Sequence, residues 1–212
     1  MPVTAIIPAL NEAERIGATI DAARAAGVAE VIVADGGSGD GTVEIARAHG
    51  ATILAGETMR ARQLNRGAEL ASHEYVVFLH ADTLLPPGAA AAIEESGAAF
   101  GGFRVEFIEG GPRLRCVAFM INLRTRLTRA PWGDQAQFAR RGVRYPELPM
   151  MEDYELARRM RSRAVILPLA VRTSGRRFLE KGVIRTSCLN WLVIAGYHLG
   201  VSPERLARWY RG

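Results

Sequence analysis

The sequence predicts an α/β protein built on a mostly parallel sheet with helices on both faces. Three observations carry this. Short apolar runs alternate with helix-prone segments through the first hundred residues, the pattern of repeated strand–helix units. The runs are apolar throughout rather than at every second position, which fits strands buried on both sides. Each run also ends in a polar or glycine-rich segment, where open α/β sheets bind their ligands.

The first run, residues 3–8, ends at Pro8. Asn11 is placed to cap the helix that follows, with Glu14 three residues later in capping-box spacing. That helix covers 12–26 and stops at Gly27. A second strand at 31–34 leads to Asp40, read as the cap of a helix at 42–48 that ends near Gly50. Residues 52–54 make a third strand, 58–71 a helix and 75–80 a fourth strand, and Pro86-Pro87 opens a helix at about 87–96. In the second half, 113–129 and 178–201 read as helices packed on the core, and 152–162 as a helix opened by two acids. Ser202-Pro203-Glu204 is a last helix start, with Ser as cap and Pro in the first helical position. The 212 residues read as one domain with a C-terminal helical extension.

Composition narrows the class. With 49% hydrophobic and 23% charged residues, the chain is neither disordered nor collagen-like. Cys116 and Cys188 are too few for a disulfide scaffold, lack metal-site spacing, and are expected as small buried hydrophobes. The start, 1–8, reads as a strand rather than a signal peptide. The longest apolar stretch, 188–201, is broken by Asn190 and His198 and falls short of the about 20 residues a membrane span needs. A cytoplasmic protein is expected. Contact at the inner membrane face is left open through 113–129 or 178–201, which mix apolar residues with Arg.

The formal charge is +5, and of the 27 basic residues only Lys181 is not Arg. Residues 1–100 carry 6 basic and 13 acidic side chains, whereas 101–212 carry 21 and 9. An acidic half and a basic half suggest that one handles a cation and the other an anion.

Three strand ends gather polar groups on one rim: Ala9-Leu10-Asn11-Glu12, then 35–41, then His80-Ala81-Asp82. The glycines at 36–41 are not a dinucleotide fingerprint, because they follow the second strand and begin with Asp35. That carboxylate repels pyrophosphate but can accept hydrogen bonds from a ribose or base edge. A P-loop is excluded, since Lys occurs only at 181. Asp82 can coordinate a hard divalent cation that also holds diphosphate oxygens. His80 reads as a second ligand, or as a group that orients Asp82. Arg60, Arg62 and Arg66 recur along one helix, but Arg60 and Arg62 cannot share a face.

These segments resemble family 2 glycosyltransferases of the GT-A fold. The resemblance rests on Ile7-Pro8-Ala9-Leu10-Asn11-Glu12, Ala34-Asp35-Gly36-Gly37-Ser38-Gly39-Asp40-Gly41-Thr42, Arg60-Ala61-Arg62-Gln63-Leu64-Asn65-Arg66-Gly67-Ala68 and Phe78-Leu79-His80-Ala81-Asp82-Thr83. It continues through Gly133-Asp134-Gln135-Ala136-Gln137-Phe138, Met151-Glu152-Asp153-Tyr154-Glu155-Leu156 and Ser174-Gly175-Arg176-Arg177-Phe178. Within the family the chain looks closest to a short, soluble branch named for association with radical-SAM and selenium-domain proteins or for arsenosugar biosynthesis.

The resemblance implies an inverting transfer from a nucleoside-diphosphate sugar, a UDP-sugar being favoured, to a hydroxyl acceptor. Residues 1–100 would bind the donor, and 101–212 the acceptor and the base. Asp35 would hold the uracil or ribose, with Pro8, Ala9 and Glu12 lining the same pocket and Arg62 near the base or diphosphate. The family's Asp-x-Asp motif falls on His80-Ala81-Asp82, so the first Asp is replaced while Asp82 keeps the place that holds Mg2+ or Mn2+. The Glu-Asp pair falls on Glu152-Asp153, with Asp153 as general base. Inversion needs a carboxylate within hydrogen-bond reach of the attacking hydroxyl.

Asp134 and Gln135, with Glu152, are placed to bind acceptor hydroxyls, and Trp132 is placed to serve as a platform for a sugar ring. Arg176 and Arg177, read as lying in a loop, can pair bidentately with diphosphate. A nucleotidyltransferase and a degenerate donor-binding domain stand as alternatives. Nucleic-acid binding is not expected, because aromatics make up only 7% of the chain and the basic half also holds the acids at 152–155.

Overall fold

The computed structural model describes residues 2–211. The first half runs β1 (Val3–Ala9), α1 (Ala13–Ala25), β2 (Glu30–Asp35), α2 (Thr42–Ala48), β3 (Thr52–Ala55), α3 (Arg60–Leu70), β4 (Tyr75–Phe78), β5 (Thr83–Leu84) and α4 (Ala89–Ser96). The second half runs β6 (Phe100–Phe107), α5 (Pro112–Thr128), β7 (Phe138–Arg140), α6 (Glu152–Met160), β8 (Ala164–Thr173), α7 (Arg176–Lys181), α8 (Val183–His198) and α9 (Pro203–Arg211). One eight-stranded sheet has the order β3-β2-β1-β4-β7-β6-β8-β5.

Strand side chains alternate between two cores, one on each face. Val3, Ala5 and Ile7 of β1 join Val31 and Val33 of β2 and the inner faces of α1 and α4. Ile6 and Ile32 point the other way, onto Ala61 and Leu64 of α3 and Leu156 of α6. β1, β2, β3 and β4 pair in parallel, as expected. Beyond β4 the sheet turns mixed: β7 is antiparallel to both β4 and β6, while β6 and β8 run parallel. The sequence reading did not identify β5, β6, β7 or β8.

Four local expectations need correction. Asn11 does not cap α1. Its backbone is left-handed (φ 53°), its Oδ1 accepts the Gly39 N–H, and Glu12 takes the cap position. Glu14 closes no capping box; it pairs with Arg15 at 3.2 Å. Gly41 holds the cap position of α2, while Asp40 accepts N–H bonds from both Thr42 and Ala13 and so ties α1 to α2. Cys116 and Cys188 are free and exposed, because each lies on the outer face of a helix that packs with its other side.

α5 is fastened to the sheet by one side chain. Asn122 accepts the Val105 N–H and donates to the Val105 carbonyl, both at 2.9 Å. It acts as a strand partner just after the irregular register at Gly102/Arg104. Gly101 is required there. A Cβ at Gly101 would overlap the Val165 carbonyl oxygen and the Phe138 ring. Gly101→Ala should therefore destabilise the fold by about 1–3 kcal/mol or more, read as a lower urea midpoint at unchanged slope.

Candidate active site

β1 lies between β2 and β4, so the strand order reverses at β1, where open α/β sheets form their ligand crevice. Asp35 ends β2 on this rim and is buried. Its Oδ2 accepts the N–H groups of Gly37 (2.9 Å) and Ser38 (3.0 Å). Its Oδ1 is buried without a partner, so an acceptor oxygen is left open to a ligand donor. Pro8 and Ala9 stand beside it in register with Ala34 and Asp35. Gln63 braces the turn by donating to the Ala34 carbonyl at 3.1 Å.

At the end of β4 the chain turns back as β5, which pairs with β8 through Thr83 and Thr173. The Ser174 N–H reaches the Asp82 carbonyl at 3.1 Å, and Glu109 holds the Gly175 N–H at 2.6 Å. This delivers Arg176 to the crevice. Its guanidinium forks onto both Glu12 oxygens (2.6 and 3.2 Å) and lies 3.5 Å from Asp82 Oδ2. Burial raises the Asp82 pKa against the opposing pull of Arg176. Arg176 and Arg177 begin helix α7 rather than lying in a loop, and the two diverge. Arg177 stacks on the Tyr210 ring at 3.5 Å and bonds the Tyr210 carbonyl, so it ties α7 to α9 and does not reach the rim.

A second cluster forms around Gly133. A Cβ there would lie 2.8 Å from Asp153 Oδ2, 2.9 Å from His80 Nε2 and 3.1 Å from Arg60 Nη2, so three polar groups from three elements converge on one glycine. The Gly133 N–H donates to Asp153 Oδ2 and the Tyr154 N–H to Asp153 Oδ1, each at 2.7 Å. Arg60 donates to His80 Nε2, and burial together with Arg60 pushes the His80 pKa well below its ordinary value. Because a guanidinium can only donate, His80 Nε2 is the acceptor of this bond, which leaves the ring proton to Nδ1. In this arrangement His80 is a partner of Arg60. Among the described residues no three His, Cys, Asp or Glu side chains converge as a metal site.

Glu152 lies 3.4 Å from the Arg60 Nε. Burial and the adjacent Asp153 raise its pKa, and Arg60 pulls it down. Arg60, not Arg62, is the helix α3 cation that faces the site. Two residues along a helix means about 200° of rotation, and Arg62 instead pairs with Glu147 at 2.9 Å on the surface. The signal for Arg60 was its position opposite Arg62 on the same helix.

Asp134 and Gln135 sit in a 3-10 turn behind Trp132. Gln135 is fully buried: its Oε1 accepts from Arg124, Thr125 and the Trp132 N–H, and its Nε2 donates to the Phe103 carbonyl. It holds the turn and presents no surface to an acceptor. Asp134 keeps a buried Oδ1 with no partner, and burial raises its pKa. Trp132 is half-buried, with the Arg124 guanidinium 3.5 Å from its ring centroid.

Sequence reasoning missed the chain of amides behind Asp153. Asn65 exchanges two hydrogen bonds with the Tyr145 backbone (2.8 and 3.0 Å), and the Tyr145 hydroxyl donates to Gln137 Oε1 at 2.6 Å. Gln137 Nε2 then donates to the Pro131 (2.7 Å) and Asp153 (2.9 Å) carbonyls. Asn65 and Gln137 both stood inside the recognised segments, but nothing in their spacing showed that they act on one another.

The model of glycosyl transferase family 2 matches residues 4–162, and the chain belongs to that family. No curated protein sequence is significantly similar to it. Among solved structures it is similar to S. aureus TarS, with 18% identity and a TM-score of 0.63, over 82% of this chain and 37% of that one. It is similar to a mycobacterial protein, with 21% identity and a TM-score of 0.56, over 82% of this chain and 65% of that one. It is also similar to glucosyl-3-phosphoglycerate synthase from Mycobacterium tuberculosis, with 20% identity and a TM-score of 0.58, over 90% and 78%. The chain thus spans less than two thirds of the length of the first two. At these identities the likeness establishes a shared mixed α/β fold.

α6, which carries Glu152 and Asp153, is anchored by Glu155. Arg158 (2.8 and 2.9 Å), Arg159 (2.7 Å) and the Tyr197 hydroxyl (2.9 Å) bond its carboxylate, and they hold its pKa down to about 2. A depressed carboxylate pKa stabilises the fold above its unfolded value of 4.5, and the contribution is lost as pH falls toward 2. Glu155→Gln should cost roughly 1–3 kcal/mol at neutral pH. The gap from wild type should close below pH 4.5 when denaturant midpoints are compared across pH.

Proposed function

We propose that the protein is an inverting glycosyltransferase. It moves a sugar from a nucleoside-diphosphate sugar, a UDP-sugar being favoured, to a hydroxyl acceptor. The observation that carries this is the setting of Asp153. Two backbone N–H groups aim its carboxylate, and Arg60 and His80 converge on the same glycine. A carboxylate fixed in this way can take the acceptor proton as the hydroxyl attacks the anomeric carbon. Each oxygen keeps a free lone pair for that bond, since it accepts one N–H.

The donor reading rests on the rim. Asp35 Oδ1 offers the unpaired acceptor that a ribose or base edge would fill, with Pro8 and Ala9 as its wall. Arg176 supplies a guanidinium fork, now spent on Glu12, that can turn to the diphosphate. The structures of the Mycobacterium tuberculosis enzyme contain UDP with Mn2+ or Mg2+, and UDP-glucose with phosphoglyceric acid, which supports the donor class.

Asp82 fits a Mg2+ or Mn2+ ion shared with the diphosphate. It is a rim carboxylate with a raised pKa, and its nearest cation stands 3.5 Å away. When bound, such an ion would screen charge on the departing diphosphate. Trp132, Glu152 and Asp134 form the acceptor side. Residues 1–100 serve the donor, and 101–212 the acceptor and the base.

No helix among the described residues is long and apolar enough to cross a membrane. The two exposed free thiols favour a reducing compartment, and we place the enzyme in the cytoplasm.

Asp153→Asn should lower turnover by about 10²–10⁴-fold while UDP affinity, measured by calorimetry, stays unchanged. Asp82→Ala should instead weaken UDP binding in the presence of Mn2+. The released product should be nucleoside diphosphate; pyrophosphate would mark a nucleotidyltransferase. Near-normal turnover by Asp153→Asn would remove the base assignment.

A further inference from the structure

A cavity of about 200 Å³ opens between α5, the turn before Gly133, α6 and α8. We infer that this cavity is the acceptor subsite, and that it takes an acceptor bearing a phosphate or carboxylate beside a flat apolar part. The inference rests on Asp153 being the base and adds the chemical class of what it deprotonates.

The walls are chiefly apolar: Ala130, Trp132, Tyr154, Trp191 and Ile194. Three guanidinium groups, Arg124, Arg158 and Arg161, line the same space with no carboxylate among them. Arg158 is neutralised by Glu155. Arg124 and Arg161 form no ion pair among the described residues. Arg124 is the more telling. Burial lowers its pKa to about 10, its Nε is buried without a partner, and its face lies on the Trp132 ring. The Asp134 and Asp153 carboxylates act on it from beyond ion-pair distance and its Nη2 bonds Thr125 and Gln135, which leaves Nε as the donor that an anion can still complete. Flat apolar walls with a few placed cations are how small sites bind amphiphilic anions.

The cavity also adjoins the base. Trp132 directly precedes Gly133, whose N–H holds Asp153, and Tyr154 directly follows Asp153. The Trp132 and Tyr154 rings meet edge to face with centroids 5.6 Å apart. Asp153 does not itself line the cavity, but its charge acts on Arg124, which does, so an occupant's hydroxyl has only the Trp132–Tyr154 wall to pass to reach the carboxylate. None of the donor-side groups, Asp35, Asp82 or Arg176, lines this cavity.

Phenyl phosphate serves as the probe, read by quenching of tryptophan fluorescence, against benzyl alcohol and inorganic phosphate. It should bind at least about tenfold more tightly than either, since it alone carries both features. Arg161→Gln and Trp191→Ala alter exposed side chains outside the base cluster. Each should weaken phenyl phosphate about fivefold or more with UDP affinity unchanged. Co-sedimentation with phosphatidylglycerol vesicles, tested against phosphatidylcholine, identifies the source of the anion. Sedimentation lost in Arg161→Gln assigns a lipid-borne acceptor, and phenyl phosphate binding alone assigns a soluble one.

Equal binding of phenyl phosphate and benzyl alcohol, or indifference to Arg161→Gln, overturns the inference. If UDP still binds in that case, the transferase reading stands. If phenyl phosphate binds and UDP does not, the transferase reading falls and the anion site survives.

Discussion

The placement of Asp153 depends on a hydrogen bond behind it, from the Gln137 amide to the Asp153 carbonyl. The carbonyl belongs to the first turn of α6, and its donor comes from the chain segment entering β7. Gln137 cannot turn away. Its oxygen accepts the Tyr145 hydroxyl and its nitrogen also serves Pro131, so a flipped amide would face donor with donor and acceptor with acceptor. Tyr145 is held in turn by Asn65 of α3. Asp153 is therefore positioned by a relay of neutral amides that begins on the helix supplying Arg60. In a low-dielectric interior such a satisfied network is rigid, and an interrupted one is costly.

Asn122 is the same device on the other side of the sheet. One carboxamide pairs with both backbone groups of a single residue, Val105 there and Tyr145 at Asn65. One joint follows the irregular register in β6, and the other holds the loop between β7 and α6. An Asn is short enough to mimic a peptide unit and long enough to reach from a helix. These joints let α3 and α5 lock onto irregular backbone without leaving buried N–H groups unpaired. The glycines at Gly101 and Gly133 complete the logic: each leaves room where two elements approach too closely for a side chain.

The first four strands and the rim were legible because burial on both faces and helix periodicity are local signals. β6, β7 and β8 were not. β6 begins Phe100-Gly101-Gly102, and glycines carry no strand signal; Gly101 is a close approach to Val165 and Phe138. The family resemblance names Asp35, Arg62, Asp82 and Asp153, and Arg176 and Arg177 are named together. The structure sets Asp35, Asp82 and Arg176 on the rim and Asp153 in a second cluster, while Arg62, Arg177 and Gln135 turn toward Glu147, Tyr210 and the turn at Trp132. What separates the two groups is side-chain direction over one or two residues, which a helix or 3-10 turn reverses and a motif does not record.

The acidic and basic halves acquire a physical meaning once the ion pairs are traced. Glu12 and Asp82 meet Arg176, Arg60 meets Glu152, Arg62 meets Glu147, Glu69 meets Arg144, and Glu74 meets Arg140. Each joins a residue of the first hundred to one of the remainder. Three of the six are exposed and contribute at most about 1 kcal/mol each, so stability alone is a weak reason for the asymmetry. The other three, at Arg60 and Arg176, join the two parts of the chain at the site itself. The pairing also consumes acids faster than Arg. What is left over on the second half is a surplus of guanidinium, and at Arg124 and Arg161 that surplus lines the cavity next to Asp153. The charge imbalance visible in the sequence is thus partly ion pairing between residues 1–100 and 101–212, and partly positive charge left at Arg124 and Arg161.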